Sequence, residues 1–178
     1  MPQKHRKRKL DDPDPDDPDL TLMLDRQIFQ QRERELQEAL IGGKQQLLCI
    51  NNVQSKIARG KVVVRDLIPA HVTKIAAIME DGIVPQLLYF RCFIETGNKV
   101  DTKDEEIVKK IVKDIQNGTT MLYFLSGIHR FKALQLVNPD FMATLDIYDA
   151  KQLKWSTGQY IATRDNRVSS YNKQPCSY

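Results

Sequence analysis

The sequence predicts an α+β fold, in which helices pack against a small mixed sheet. Between residues 61 and 149, β-branched and aromatic runs alternate with segments whose apolar residues recur at helical spacing. The chain has 178 residues, 41% hydrophobic and 28% charged, which suits one modest domain with tails. No segment has the ~20 consecutive apolar residues of a membrane-spanning helix, so no membrane contact is expected.

A disordered charged tail is predicted over residues 1–20, because a basic run and an Asp/Pro-rich run occur there without apolar periodicity. The basic run begins at Lys4 and ends at Lys9, and it suits a nuclear localisation signal as well as a solvated tail. No apolar leader follows Met1. The expected location is therefore intracellular, with the nucleus as a more specific alternative.

Residues 21–58 predict a helical N-terminal extension. Residues 21–40 carry a narrow apolar stripe at helical spacing, and Gly42 and Gly43 end it. This helix is a candidate for binding a protein partner. Residues 45–58 are ambiguous, because so short an apolar run suits either a buried strand or a second helix.

The main domain is predicted over residues 59–150. Residues 61–68 are β-branched and end at a proline, which predicts a strand with a proline exit. A helix is predicted over 70–80 and a second strand over 86–95. An acidic start and a lysine-rich end then predict a helix over 101–116, oriented as the helix dipole favours.

A strand over 119–125, a helix from Phe131 to Val137 and a strand over 141–148 complete the predicted domain. Asp146 and Asp149 flank Tyr148 at the end of the last strand. Paired carboxylates of this kind bind a divalent ion or, more often, end a strand at a solvated turn.

Cysteine and histidine spacing predicts no metal site and no disulfide framework. The three cysteines are widely spaced, without a Cys-x-x-Cys pair or clustered histidines. Cys49 and Cys92 lie inside apolar runs, where buried and unreactive thiols are expected.

The motif with the clearest chemical meaning follows the strand over 119–125, where Ser126 precedes Gly127, His129 and Arg130. Glycine permits a close approach of backbone or ligand, and the first turn of a helix presents N–H groups that favour an anion. Arg130 is suited to bind two phosphate oxygens and His129 to donate to another. His71 lies at the predicted strand exit, where an exposed histidine at the start of a helix is one interpretation. A solvated arginine at a strand turn is the alternative interpretation.

The order of three elements resembles the ParB/sulfiredoxin superfamily. They are the run 66–69, the Gly-x-x-Pro element 82–85, and a strand leading into Gly-x-His-Arg with Ala133 three residues later. The resemblance covers residues 61–149 and implies that the motif contacts nucleotide phosphates, with a nucleoside triphosphate and Mg²⁺ as the expected ligand. It also implies that the loop holding His71 borders the nucleotide, so His71 is a candidate to face the same pocket as His129. Sulfiredoxins place their reactive cysteine where this chain has Ile128, so sulfiredoxin activity is not expected. A free-serine kinase branch has an acidic residue where this chain has Ser126.

The formal charge of +4 is unevenly distributed along the chain. Residues 1–20 carry five basic and six acidic side chains, whereas the basic segment 151–178 carries five basic and one acidic. Basic residues interleaved with aromatics are able to follow a phosphate backbone and stack on bases. A basic linker is the alternative interpretation. The candidate nucleic-acid residues are Lys151, Lys154, Trp155, Arg164 and Arg167.

Three functions remain open from the sequence. The first is a ParB-like domain that binds a nucleotide or nucleic-acid phosphate through the Gly-x-His-Arg motif. The second is a phosphotransferase or nuclease in which His129 acts as acid or base. The third is a degenerate module that binds protein through the helices over 21–40 and 101–116.

Overall fold

A computed structural model describes residues 18–58, 60, 62–82, 88–97 and 100–171, and the side chains at 20, 21 and 166–171 lie outside this description. The predicted tail, apart from residues 18–20, and the candidate nuclear signal therefore lie outside the described residues. The chain divides into two compact units, with the boundary between Arg34 and Glu35.

Helix α1 spans Pro18–Ala39 and confirms the helix predicted over 21–40. Its part within the first unit exposes large apolar side chains, namely Leu22, Met23, Leu24, Ile28 and Phe29. The suggested role in binding a protein partner stays a prediction.

A mixed five-stranded sheet forms the centre of the second unit, which agrees with the predicted α+β class. Its strands are β1 Gln46–Cys49, β2 Ser55–Ile57, β3 Phe90–Ile94, β4 Leu122–Ser126 and β5 Met142–Asp149. The strand order is β1-β5-β3-β4-β2. β1 pairs with β5 and β3 with β4 in antiparallel fashion, whereas β3–β5 and β2–β4 are parallel.

Four further helices follow α1 in the second unit: α2 Pro69–Glu80, α3 Glu105–Gln116, α4 Ile128–Val137 and α5 Trp155–Tyr171. Side chains alternate between the two faces of a strand, so a central strand is able to supply two cores. Phe90 and Cys92 join a core with α2, α3 and α4, whereas Phe93 joins a second core with the end of α1 and with α5. The central strands are therefore covered by helices on both faces.

The two edge strands are short and are contacted by helix side chains. The Cys49 backbone N–H donates to Oε1 of Gln116 on α3, at 2.9 Å. At the other edge, Nζ of Lys132 on α4 donates to the backbone oxygen of Ser55 at 3.3 Å. A side chain therefore satisfies a backbone group of each edge strand.

The prediction of a strand over 61–68 is wrong, because the described residues 62–68 form no strand. The hydrogen bonds that a neighbouring strand would supply come from one side chain. Val63 N–H donates to Gln159 Oε1 at 2.6 Å, and Gln159 Nε2 donates to Val63 O at 3.1 Å. The β-branched run is therefore an extended connection to α2 that is held by α5.

The compact unit is larger than the domain expected over 59–150. The ambiguous run 45–58 forms β1 and β2, and both are strands of the central sheet. The segment after residue 150 forms α5, whose Ile161 is fully buried in the second core. The described part of the compact unit therefore starts at Glu35 and includes α5.

In the described part of the chain, no helix has both the length and the apolar character needed to cross a bilayer.

Candidate functional site

The junction between β4 and α4 requires glycine. Gly127 precedes α4 with φ 86° and ψ 7°, a left-handed conformation that side chains disfavour, and its oxygen accepts the Phe131 N–H at 2.9 Å. A Cβ added there would lie 2.9 Å from the Tyr89 oxygen and 2.9 Å from a Phe90 ring carbon. Both the backbone angle and the close approach of β3 therefore select glycine.

Ile128, which follows this glycine, points into the protein. It is 6% exposed and belongs to the core shared by α2, α3 and α4. Ile128 is therefore a core residue of this chain.

The two predicted histidines lie together at the start of α4 and α2. The Ile68 backbone N–H donates to Nε2 of His129 at 3.0 Å, and the His71 and His129 rings lie 5.0 Å apart between centroids. Because Nε2 accepts this bond, a neutral His129 ring carries its proton on Nδ1. Donation to a phosphate oxygen would thus come from Nδ1, and Nε2 is already engaged as an acceptor.

This hydrogen bond joins the N-terminal turns of two helices. Ile68 is the residue before α2, which begins at Pro69, and Gly127 is the residue before α4. Neither residue caps its helix with a side-chain hydrogen bond. The start of each helix carries a partial positive charge, and the first turn of α4 directs N–H groups outward. At α2, Pro69 has no N–H and the His71 N–H donates to the Ile68 oxygen at 3.0 Å. Because the positive ends of α2 and α4 meet at His129, an anion is favoured beside this residue.

Ser126, at the end of β4, and Arg130, on α4, both interact with Asp165 of α5. Ser126 Oγ donates to Oδ2 of Asp165 at 2.8 Å. Burial lowers the pKa of the Arg130 guanidinium, and the attraction of Asp165 opposes this shift only in part. A cation destabilised by desolvation gains free energy when an anion approaches it. Asp165 thus interacts with two residues of the motif, Ser126 and Arg130, whereas His129 accepts from Ile68 and lies beside His71.

A second polar group lies beside Ser126 on β3 and β5, and of its members the sequence indicated only Asp146. Nε of Arg91 lies 3.7 Å from Asp165 Oδ2 and 3.9 Å from Asp146 Oδ2, and the Arg91 side chain is 12% exposed. Its guanidinium carbon also lies 4.7 Å from the Tyr89 ring centroid. The Tyr89 hydroxyl donates to Asp146 Oδ2 at 2.5 Å.

The net pKa shift has opposite directions in the two arginines, Arg91 and Arg130. Burial lowers the pKa of Arg91, but Tyr148, Asp165 and Tyr89 outweigh it, so the net direction is upward. For Arg130 the net direction is downward. The surroundings therefore stabilise the charge of Arg91 better than the charge of Arg130.

Tyr89 provides a test of this polar group at alkaline pH. Burial and the hydrogen bond to Asp146 raise the pKa of Tyr89 from 10.0 to about 12. Its protonated form therefore contributes stability that is complete below pH 10 and is lost as the pH rises to about 12. We expect the unfolding free energy to fall more steeply across this interval in the wild type than in Tyr89→Phe. Denaturant titrations at several pH values would measure it, and equal slopes would contradict it.

Two of the candidate nucleic-acid residues make contacts within the protein. Lys154 Nζ lies 3.1 Å from Glu35 Oε1, and the Trp155 ring packs edge-on against Phe93 with centroids 5.3 Å apart. Lys151 and Arg164 are exposed, and the side chain of Arg167 lies outside the description. Lys154 and Trp155 thus attach the start of α5 to the second core.

The expectation of a solvated turn at Asp146 and Asp149 is wrong, because both side chains are buried. Asp149 Oδ1 accepts from Thr96 Oγ1 at 3.1 Å and from the Lys151 N–H at 3.0 Å, which closes the turn after β5. Among the residues that the structure describes, no group of three or more His, Cys, Asp or Glu side chains is arranged to hold a metal ion.

Comparisons of the chain with protein-family models, with curated proteins and with solved structures each find no match. The resemblance to ParB/sulfiredoxin domains therefore rests on motif residues alone. Of these, residues 83–85 lie outside the described part of the chain.

Proposed function

We propose that this chain is a ParB/sulfiredoxin-like domain that binds a phosphate group of a nucleotide or nucleic acid where β4 turns into α4. The observation that supports this most is the hydrogen bond from Ile68 N–H to His129 Nε2, at 3.0 Å. It holds two positive helix ends together, and Arg130 is the next residue of α4 after His129.

Each residue of the proposed site has a distinct role. Gly127 permits the tight junction, and the N–H groups of the first turn of α4 face the phosphate oxygens. Arg130 supplies the charge and two donors, and His129 is positioned by α2 so that Nδ1 is its donor. His71 lies beside His129, at the edge of the proposed phosphate site.

Burial supports a binding role for Arg130. Desolvation destabilises its charge, and Asp165 restores only part of the loss. A phosphate next to the guanidinium would restore more of it and would bind through charge-assisted hydrogen bonds.

The ligand class includes nucleoside triphosphates, but no Mg²⁺ site is assigned. The described residues offer no cluster of carboxylate, histidine or cysteine ligands for the ion. A catalytic role is not proposed either. Nε2 of His129 accepts from Ile68, so the nitrogen that would serve as a base is already occupied.

Arg130→Ala tests the proposal directly. Loss of a charge-assisted phosphate contact costs about 1.5–3 kcal/mol, so we expect phosphate affinity to fall roughly 10- to 100-fold. Calorimetric titration with inorganic phosphate, ATP, CTP and a short DNA would measure it. The fold of the variant would be checked by circular dichroism.

Lys110→Ala is the matched control, because it removes one exposed positive charge from α3. It is expected to bind phosphate like the wild type. If wild-type protein binds none of the four ligands, or if Arg130→Ala binds as tightly as Lys110→Ala, the proposal is wrong.

A further inference from the structure

Asp165 stands out in the C-terminal segment because it is the single acidic residue among the last 28, which also hold five basic residues. Helix α5 directs this carboxylate toward the end of β4 and not toward solvent. Its side chain is 19% exposed. The Asp165 carboxylate interacts with two arginines, Arg91 and Arg130, as a bound anion would.

The contacts of Asp165 are those that a phosphate oxygen would make. Oδ2 accepts from Ser126 Oγ at 2.8 Å and lies 3.7 Å from Arg91 Nε. The same carboxylate also interacts electrostatically with Arg130. Its partners are therefore one hydroxyl and two guanidinium groups beside Gly127.

The hydrogen bonding of Arg91 is incomplete in this arrangement. Its buried Nε has no hydrogen-bond partner within the described part of the chain, because both nearby carboxylate oxygens lie too far away. A buried donor left in this state costs free energy. An anion with more oxygens than a carboxylate would be able to satisfy Ser126, Arg91 and Arg130 together.

We propose that Asp165 is an internal competitor for the phosphate site, so that a phosphate ligand binds by displacing the Asp165 carboxylate from Ser126, Arg91 and Arg130. This inference rests on the proposed function, and it adds a regulatory role for α5. The affinity for phosphate then reflects the difference in free energy between the arrangement with phosphate bound and the arrangement with Asp165 in place.

The attachment of α5 is consistent with a local displacement. Its N-terminal half is held by Lys154 on Glu35, by Trp155 on Phe93 and by Gln159 on Val63. Asp165 lies one to two turns further along the helix. Release of its carboxylate therefore requires a movement of the C-terminal half only.

Asp165→Asn is the decisive variant, because it keeps the shape and a hydrogen-bonding oxygen but removes the competing charge. We expect it to bind inorganic phosphate about tenfold more tightly than the wild type, measured by calorimetry. Asp140→Asn is the matched control, since it removes one exposed negative charge from the loop that follows α4. This control is expected to change the affinity less than twofold.

Hydrogen exchange supplies a second measurement that does not depend on affinity. Phosphate is expected to accelerate the exchange of backbone amides in residues 163–171 of the wild type and to leave residues 155–161 unchanged. In Asp165→Asn these C-terminal amides should already exchange faster without phosphate.

The outcomes separate the two proposals. If the wild type binds phosphate through Arg130 but Asp165→Asn binds equally or more weakly, the competitor role is wrong and the proposed function stands. If neither the wild type nor Asp165→Asn binds inorganic phosphate, the competitor role is wrong, and the proposed function is also wrong if the wild type binds none of ATP, CTP and DNA. Tighter binding by Asp140→Asn to the same extent would also refute the competitor role, since it would reveal a general effect of charge.

Discussion

Gly127→Ala is expected to lower the free energy of unfolding by about 2–5 kcal/mol. The left-handed conformation costs a side chain about 1–2 kcal/mol. The added Cβ would also lie 2.9 Å from both the Tyr89 oxygen and a Phe90 ring carbon, and crowding of this kind costs about 1–3 kcal/mol. Relief of the crowding would shift β3 away from α4, so weaker phosphate binding is expected as well.

Gly82→Ala separates these two costs. Gly82 has φ 82°, and an added Cβ would meet nothing within 4 Å. We therefore expect it to lose only the conformational cost of about 1–2 kcal/mol. Urea unfolding followed by circular dichroism would measure both variants. Equal losses in the two would show that the approach of β3 to Gly127 is not tight.

Phe131→Ala is expected to have a second large effect, a loss of about 3–5 kcal/mol of stability. Phe131 on α4 is fully buried, and its ring lies 5.4 Å from the Phe90 ring and 4.8 Å from the Phe124 ring between centroids. These three rings fix α4 to β3 and β4. Removal of the middle ring leaves a cavity directly beneath the first turn of the helix.

Leu136→Ala is the control for Phe131→Ala. It truncates an apolar side chain on the same helix, but Leu136 is 68% exposed. Its expected effect is within about 0.5 kcal/mol. Chemical denaturation of both variants would compare them, and a loss below about 1.5 kcal/mol for Phe131→Ala would mean that the neighbouring rings close the cavity.

Local patterns predicted helices α1 to α4 because their signals are local, but they did not predict α5. The acidic start of α3 includes Asp104, whose carboxylate accepts from the Glu106 and Ile107 N–H groups as a helix cap does. The glycine after β4 also correctly marked a turn into a helix. The residues of the Gly-x-His-Arg motif could therefore be named from the sequence.

The predictions that were wrong or missing concern segments whose structure depends on contacts between residues far apart in the chain. Residues 62–68 have the composition of a strand, but their hydrogen bonds are supplied by Gln159, 96 positions away from Val63. Helix α5 has few aliphatic residues, so its burial against the sheet was not apparent. The short runs of β1 and β2 find their partners in β5 and β4, and no local pattern encodes that pairing.

The candidate site was predicted in part for the same reason. His71 and His129 were expected to face one pocket, and their rings are 5.0 Å apart. Arg91 and Asp165 were not expected there, although one signal was present. A single acidic residue in a basic segment is a candidate partner for a buried cation, and Asp165 is that residue.

The side-chain contacts at the two edge strands have a consequence for the behaviour of the protein at high concentration. An exposed strand edge is a template on which another chain can add a strand and begin an aggregate. Here β1 has four residues and β2 has three, and Gln116 and Lys132 each occupy a backbone group of one of them. These contacts thus discourage the addition of a foreign strand at both edges of the sheet. At the β2 edge, an apolar strand would also have to remove the Lys132 ammonium group from water, which costs free energy.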